Sequence, residues 1–478
     1  MNYQTLIPFI VYFIVVILIG VYATRFSSRG ISEFFLGGRS MGRFVVALSA
    51  VVSGRSAWLL LGFTGMAYSM GLSALWAVAG YTIVELLLFL FYAPRIRKYS
   101  EEHDCITLPD FYAARFNDQS GSLRIIIVII FMIFMVTYVS SQFVGGGKAF
   151  FANFGLNQNT GLLITATIVL IYTILGGFLA VSLTDVLQAF IMILALIGLP
   201  VYGIIKSGGW NNLVIELLKI DNNFFNPFAL TVGMLTGFLG IGLGSPGNPH
   251  IIVRYMSIRD PSQFNWTAIV GTVWNILLAT GALFTGLVGR AYFPLSSLLP
   301  DADAENIYLV LANELLHPVA VGLILASIFA AIMSTADSQL LVAVSSLVRD
   351  LYEKILLKGK QISQKKLALM SRFVVIILVL IAVILGILIE DLVFWFVLFA
   401  WAGLGASIGP TSILALFWER TTKPGIIAGL ITGTLTVFVW KIVPALNNLM
   451  YELIPAFFIS LLITILVSYM SGRKKVIN

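Results

Sequence analysis

Residues 237–249 read Gly237-Phe238-Leu239-Gly240-Ile241-Gly242-Leu243-Gly244-Ser245-Pro246-Gly247-Asn248-Pro249. The stretch lies inside an apolar run, 228–249, of the length that crosses a bilayer as a helix. A continuous lipid-facing helix would not carry this run of glycine and proline. Irregular backbone at membrane depth survives only where it is buried in protein or lines a cavity. The stretch therefore predicts a broken helix inside a multi-helix membrane protein, at a place where a ligand binds. The competing reading is close helix packing, and both stay open for Gly240 and Gly244.

The rest of the chain supplies the other helices. Of 478 residues, 59% are hydrophobic and 11% charged, against about 25% charged in a soluble domain. Thirteen apolar segments follow one another. They span roughly 5–24, 44–70, 73–94, 124–150, 161–180, 184–205, 228–249, 266–289, 318–347, 371–389, 392–417, 425–444 and 452–470, and are called segments one to thirteen below. The fold class is thus an all-α polytopic membrane protein. Segment one has no basic stretch before it and no small-residue cleavage site, so it reads as a retained helix. Composition excludes a soluble enzyme, a disordered chain and a disulfide scaffold. The single cysteine, Cys105, has no internal partner. His103, His250 and His317 are scattered and give no metal-site spacing. No paired carboxylates or nucleophile–base pattern suggests catalysis.

Net charge is +7, and its distribution speaks to topology rather than to nucleic acid. Basic residues mark cytoplasmic loops. One set of alternate loops and helix ends holds Arg25, Arg29, Arg39, Arg43, Arg95, Arg97, Lys98, Arg115 and Arg124. It continues with Arg254, Arg259, Arg349, Lys354, Lys358, Lys360, Lys365, Lys366 and Arg372, then Arg420, Lys423, Arg473, Lys474 and Lys475. The other set holds only Lys206, Lys219, Arg290 and Lys441. That is 23 against 4 of the 29 Lys and Arg. The N-terminus is expected outside and the C-terminus in the cytoplasm of a cell (inner) membrane. The solute and the lipid bilayer are the only partners implied, and no obligatory protein partner is inferred.

Segment two carries a second anomaly, Ser53-Gly54-Arg55-Ser56, at its middle. A central Arg55 costs at least about 2.5–3.5 kcal/mol on insertion scales, so it needs a partner. Segments two and seven each open a block of five. Secondary transporters are often two inverted repeats whose first helices break at the midplane. Segment nine adds Ser334, Thr335 and Ser338 near Asp337. Hydroxyl and carbonyl oxygens suit a hard cation such as sodium; alternatively the hydroxyls bond back to their own helix.

Several stretches match a known family. They are Ser32-Glu33-Phe34-Phe35-Leu36-Gly37-Gly38-Arg39, Ser56-Ala57-Trp58-Leu59-Leu60-Leu61-Gly62 and Thr107-Leu108-Pro109-Asp110-Phe111-Tyr112. Gly176-Gly177-Phe178 through Thr184-Asp185 and Pro249-His250-Ile251-Ile252-Val253-Arg254 follow. Met333 through Leu341 and Ala400-Trp401-Ala402-Gly403-Leu404-Gly405 complete the set. The chain resembles the sodium/solute symporter family, closest to its sodium/proline symporter branch. The resemblance implies one transporter domain over 1–478. It has an extra N-terminal helix at 5–24, a first repeat at 44–205, an inverted second repeat at 228–417 and two further helices at 425–470. It implies a sodium position at the carbonyls of Val52 and Arg55 with Ala331, Ser334 and Thr335. A second cation position would involve Asp185 and Ser338, with a helix N-cap as the other role for Asp185. The solute is expected among Ser56, Ala57, Trp58, Tyr138, Gln142, Ile241 and Ser245. No enzymatic cofactor is implied. Lys148 is expected to snorkel to the outer interface, and Asp337 to be a structural polar residue.

The departures from that branch concern the site. Proline symporters have an aspartate important for sodium where this chain has Gly54, and a neutral residue where it has Arg55. Ile241 and Ser245 replace aromatic residues that enclose proline, so proline is expected to be a poor substrate. At 1.5 Å per residue, Arg55 lies roughly 16 Å from the inner end of segment two, and Glu85 roughly 18 Å from the outer end of segment three. Both fall near the middle of a ~30 Å core, which makes Glu85 the expected partner of Arg55; the alternatives are a substrate carboxylate on Arg55, or each residue facing a water-filled cavity separately. An unpaired Arg55 would repel sodium at ~5 Å by about 3 kcal/mol at an effective dielectric of ~20. The expected function is import of an amino or organic acid by sodium symport. The alternative is a proton-coupled or sodium-independent carrier in which Arg55 replaces a bound cation.

Overall fold

Segment seven breaks where its glycines and prolines fall. A computed structural model, which describes residues 3–27, 31–175, 177–357, 363–388 and 392–472, gives an α-helix at Val232–Gly240. A tighter 3-10 stretch at Ile241–Gly247 follows, then a second α-helix at Pro249–Ser257. The element therefore runs eight residues beyond the apolar stretch that announced it. Arg29, Lys358, Lys360, Arg473, Lys474 and Lys475 of the basic count, the tail to Asn478, and Gly176 of the quoted stretches lie outside the described residues.

Segment two breaks as well. Its helix Arg43–Ser53 stops, and a wide-turn helix resumes at Trp58–Phe63 before Thr64–Met70. Between them Ser56 takes a left-handed φ of 51°. A non-glycine residue held there costs about 1–3 kcal/mol and persists only where its surroundings fix it. Trp58 N–H donates to Ser56 Oγ at 3.1 Å, and Ala57 N–H to Gln142 Oε1 at 2.9 Å. These bonds take up amide donors that the interruption releases from the helix.

Among the described residues ten helical stretches are long and apolar enough to cross a membrane. Three shorter apolar helices, Arg43–Ser53, Gln158–Ile174 and Val232–Gly247, join them. Among the described residues there is no β-strand; a lone bridge ties Met41 to Ile258. Segments nine and eleven form the centre, with 83% and 89% of their apolar windows buried, against 33% for segments ten, twelve and thirteen. The outer helices expose aliphatic side chains such as Leu380, Ile384, Leu435 and Leu466, the surface that lipid covers.

The glycines of segment seven also allow close packing. A Cβ on Gly244 would lie 1.9 Å from Trp401 Nε1, and one on Gly247 2.3 Å from the Leu404 carbonyl. The indole of Trp401 donates to the Ile241 carbonyl at 2.8 Å. The two readings of these glycines therefore hold together: the helix breaks, and segment eleven packs into the break.

A cavity of about 990 Å³ opens at one end of the helices, lined by Gly62, Met66, Lys148, Asp303, Glu305 and Phe394 among others. Phe394 closes its floor by stacking on Trp58, with ring centroids 5.5 Å apart. Lys148 does not snorkel. It is 7% exposed, and its Nζ reaches Asp303 Oδ2 at 2.7 Å and Glu305 Oε2 at 2.5 Å. Glu305 in turn accepts the backbone N–H groups of Val393 and Phe394 at 3.0 and 2.8 Å. The loop carboxylates thus hold the start of segment eleven against segment four.

Candidate transport site

The break in segment two lies against segment nine. Ser334 Oγ lies 3.3 Å from the Val52 carbonyl and 3.1 Å from that of Ala331, and Thr335 Oγ1 donates to the Ser53 carbonyl at 3.0 Å. Ser334 and Thr335 are both fully buried. Ser334 Oγ thus sits between the carbonyls of Val52 and Ala331, and the Val52 carbonyl also accepts the Arg55 N–H at 3.0 Å. The Arg55 carbonyl accepts the Leu59 N–H at 3.1 Å and starts the next turn. The hydroxyls therefore do more than bond back to their own helix, because Ser334 and Thr335 each reach segment two.

The Arg55 side chain points to segment three. It forms an ion pair with Glu85, and both residues are almost wholly buried. The guanidinium lies over the Tyr81 ring, 3.8 Å from its centroid. Glu85 also accepts from Ser245 Oγ at 3.3 Å and from Asn275 Nδ2 at 2.7 Å. The depth argument brought Arg55 and Glu85 together correctly. Asn275, the one amide side chain in segment eight, was missed and was the signal there to be read.

Aromatic rings bound the same region. Trp58 stacks between Phe63 and Phe394 and meets the Tyr81 ring edge-on. Tyr138 Oη lies 3.5 Å from Ser56 Oγ, and its ring meets those of His250 and Trp401. Ser56, Ala57, Trp58, Tyr138 and Gln142 thus share one neighbourhood. Ser245 joins it through Glu85, and Ile241 through its carbonyl on Trp401.

Asp185 and Ser338 belong to a second cluster. Asp185 is eight residues into the helix Phe178–Lys206, so it is not an N-cap. Its Oδ2 accepts from Ser49 Oγ at 2.5 Å, Ser53 Oγ at 3.4 Å and Arg254 Nη2 at 3.2 Å. Arg254 also donates to Ser338, to Ser49 at 3.0 Å and to the His250 carbonyl at 2.5 Å. Asp337 is buried alongside, its Oδ1 3.2 Å from Ser338 Oγ. The orientation count had placed Arg254 at a loop-facing helix end. Instead it is 1% exposed and paired inside.

Among the described residues no cluster of His, Cys, Asp and Glu could hold a resident metal. Two breaks with hydroxyls, carbonyls and buried charge pairs suit reversible binding of ions and a solute. A family model, the sodium:solute symporter family, matches residues 34–433. The chain belongs to this family. Sodium/proline symporters of Staphylococcus aureus, from strains JH9 and NCTC 8325 among others, are 38% identical over an alignment of 484 residues. That alignment covers 99% of this symporter and 94% of theirs. A Na+-coupled sialic acid symporter, in a substrate-bound outward-open state, superposes with a TM-score of 0.81 at 18% identity, covering 98% of each chain. The nucleobase-cation-symport-1 transporter Mhp1, closed with bromovinylhydantoin bound, gives 0.56 at 14% identity, covering 91% and 95%.

The symporter is therefore a multi-pass secondary transporter, not an enzyme, and it couples sodium to movement of a small solute. Sodium is a transported co-substrate rather than a resident cofactor. The sodium-independent alternative gives way to this family membership. The geometry supplies a physical reason: Glu85 neutralises Arg55, so the repulsion expected of a lone guanidinium is largely cancelled.

Proposed function

We propose that this symporter imports a small amino or organic acid across the cell (inner) membrane, with the N-terminus outside and the C-terminus in the cytoplasm. The chain acts as one transporter domain of thirteen spans. An N-terminal helix, 5–24, precedes inverted repeats at 44–205 and 228–417, and two helices follow at 425–470. The solute lies between segments two, four and seven, against Ser56, Ala57, Trp58, Tyr138, Gln142, Ile241 and Ser245. Sodium binds at Val52, Ala331, Ser334 and Thr335 with the Arg55 carbonyl, and a second cation at Asp185 and Ser338. The single observation that supports this reading most is the meeting of the Ser334 and Thr335 hydroxyls with the carbonyls of Val52 and Ser53. Solute and ion then bind one region and favour the same conformations, which is what coupling requires.

A second reading is proline itself, favoured by the 38% identical sodium/proline symporters. Ile241 and Ser245, which offer no aromatic wall, speak against it. Uptake into proteoliposomes under an inward sodium gradient, against choline, tests both readings. Saturable sodium-driven uptake of an amino or organic acid is expected. High-affinity proline uptake would replace the first reading with the second, and uptake indifferent to sodium would overturn both.

A further inference from the structure

The charge pair at Arg55 is unevenly satisfied. The Glu85 carboxylate has three donors: the Arg55 guanidinium, Ser245 Oγ and Asn275 Nδ2. Arg55 carries five N–H groups, yet its Nε is buried with no hydrogen-bond partner among the described residues. The indole Nε1 of Trp58, close by, is buried without a partner too. Both atoms can only donate. Buried donors normally find acceptors, and each exception calls for an explanation. Resting on the transport reading above, we infer that these donors receive the carboxylate of the solute, so that the substrate is a small organic acid recognised at Arg55.

The geometry fits such a ligand. Arg55 lies on Tyr81, Trp58 meets the same ring, and Tyr138 lies against Ser56, so both residues with spare donors adjoin one aromatic ring. A guanidinium is the side chain best matched to a carboxylate, because its fork makes parallel charge-assisted bonds. Glu85 has the opposite role. Held by three donors, it fixes the guanidinium in place and cancels its charge when no solute is bound. The unpaired Asn275 Oδ1 leaves one acceptor nearby for a hydroxyl or amino group on the same molecule.

Charge balance then gives a reason for sodium coupling. Arg55 and Glu85 sum to zero, so a bound carboxylate leaves one negative charge in a low-dielectric site. A sodium ion at the carbonyls beside Arg55 restores neutrality, so each ligand strengthens binding of the other.

The test is thermal unfolding of the purified full-length protein in sodium and in choline buffer, with three acid–amide pairs at neutral pH. The pairs are L-lactate and lactamide, pyruvate and pyruvamide, and L-proline and prolinamide. At least one acid is expected to raise Tm in sodium, with its amide ineffective. The double variant Arg55→Gln with Glu85→Gln removes both charges together, so no lone buried charge is left to unfold the protein. In it the acid should bind on the order of tenfold to a hundredfold more weakly, while stabilisation by sodium alone is retained. Equal effects of acid and amide, an acid response unchanged in the double variant, or no response to any of the three acids would each overturn the inference. Failure of sodium alone to stabilise the natural protein would count against the sodium positions instead, since the acid–amide contrast is read in choline as well.

Discussion

Two buried guanidinium–carboxylate pairs sit on the two broken segments, and they are satisfied in opposite senses. At Arg55 the carboxylate has three donors, and the Arg55 Nε and Trp58 Nε1 donors are left over. At Arg254 the guanidinium is fully engaged, by Ser49, His250, Asp185 and Ser338. There acceptors are left over: Asp185 Oδ1 and Asp337 Oδ2 are buried without partners among the described residues. Two buried aspartates stand beside one arginine, so this cluster holds more carboxyl groups than cations. A donor surplus suits an anion and an acceptor surplus suits a cation. The two clusters thus differ in what they leave unsatisfied, and of the two arginines only Arg55 keeps a nitrogen without a partner among the described residues.

The largest effect expected from this contrast is on stability. Arg254→Met leaves two buried aspartates with no cation, and breaking a buried pair costs about 3–5 kcal/mol. Arg55→Met leaves one carboxylate that still has Ser245 and Asn275 as donors, so its loss should fall at or below the lower end. Adding Asp337→Asn to Arg254→Met should recover part of the stability, because it removes one of the two buried carboxyl groups. The measurement is the fraction of monodisperse protein remaining after heating in detergent. Equal losses in the two single variants, or no rescue, would break the comparison.

Sequence disclosed these two pairs very unequally. Arg55 and Glu85 are thirty residues apart on consecutive segments, so counting residues from each segment end places both at one depth. Arg254 and Asp185 are separated by sixty-nine residues, and Arg254 falls after the apolar stretch of segment seven has ended. Position along the chain therefore assigned it to a helix end. Only the continuation of the helix to Ser257, and the packing of segments two, six and nine around it, puts it inside. Lys148 failed for the same reason, because Asp303 and Glu305 come from a loop more than 150 residues later. The breaks themselves were legible because glycine and proline act locally. The left-handed Ser56 was not, since serine carries no such signal.

An intermediate effect is expected at the hydroxyls between the two pairs. Ser334→Ala removes the oxygen that lies nearest both the Val52 and Ala331 carbonyls. Loss of one such interaction with a charged group is worth about 1.5–3 kcal/mol, so half-saturation by sodium should rise roughly tenfold to a hundredfold. Thr335→Ala should do less, since its hydroxyl meets Ser53 rather than the Val52–Ala331 pair. Neither variant should change preference between an acid and its amide, which belongs to Arg55. Sodium-dependent uptake at several sodium concentrations separates the two properties. A Ser334→Ala protein with normal sodium dependence and altered solute preference would merge the two sites into one.

The smallest effect concerns which side each site faces, and it should leave transport unchanged. The donor-rich pair lies on the side of the large cavity, below Phe394 and Trp58. The acceptor-rich cluster borders a small cleft lined by Ile106, Thr107, Arg254 and Ser338, on the side of the basic loops. If those loops are cytoplasmic, solute enters by the donor-rich site and sodium leaves past the acceptor-rich one. Asp301 is exposed beside the large cavity and Arg259 is exposed on the basic side, so a cysteine at either position reports on one face. The natural thiol will not interfere. Cys105 is 1% exposed, and burial together with the neighbouring Asp110 carboxylate pushes its pKa up to about 12. It stays protonated at neutral pH and is a poor nucleophile. In intact cells a membrane-impermeant maleimide should label Asp301→Cys and spare Arg259→Cys, with both labelled after permeabilisation. The reverse pattern would invert the topology and turn the donor-rich site toward the cytoplasm.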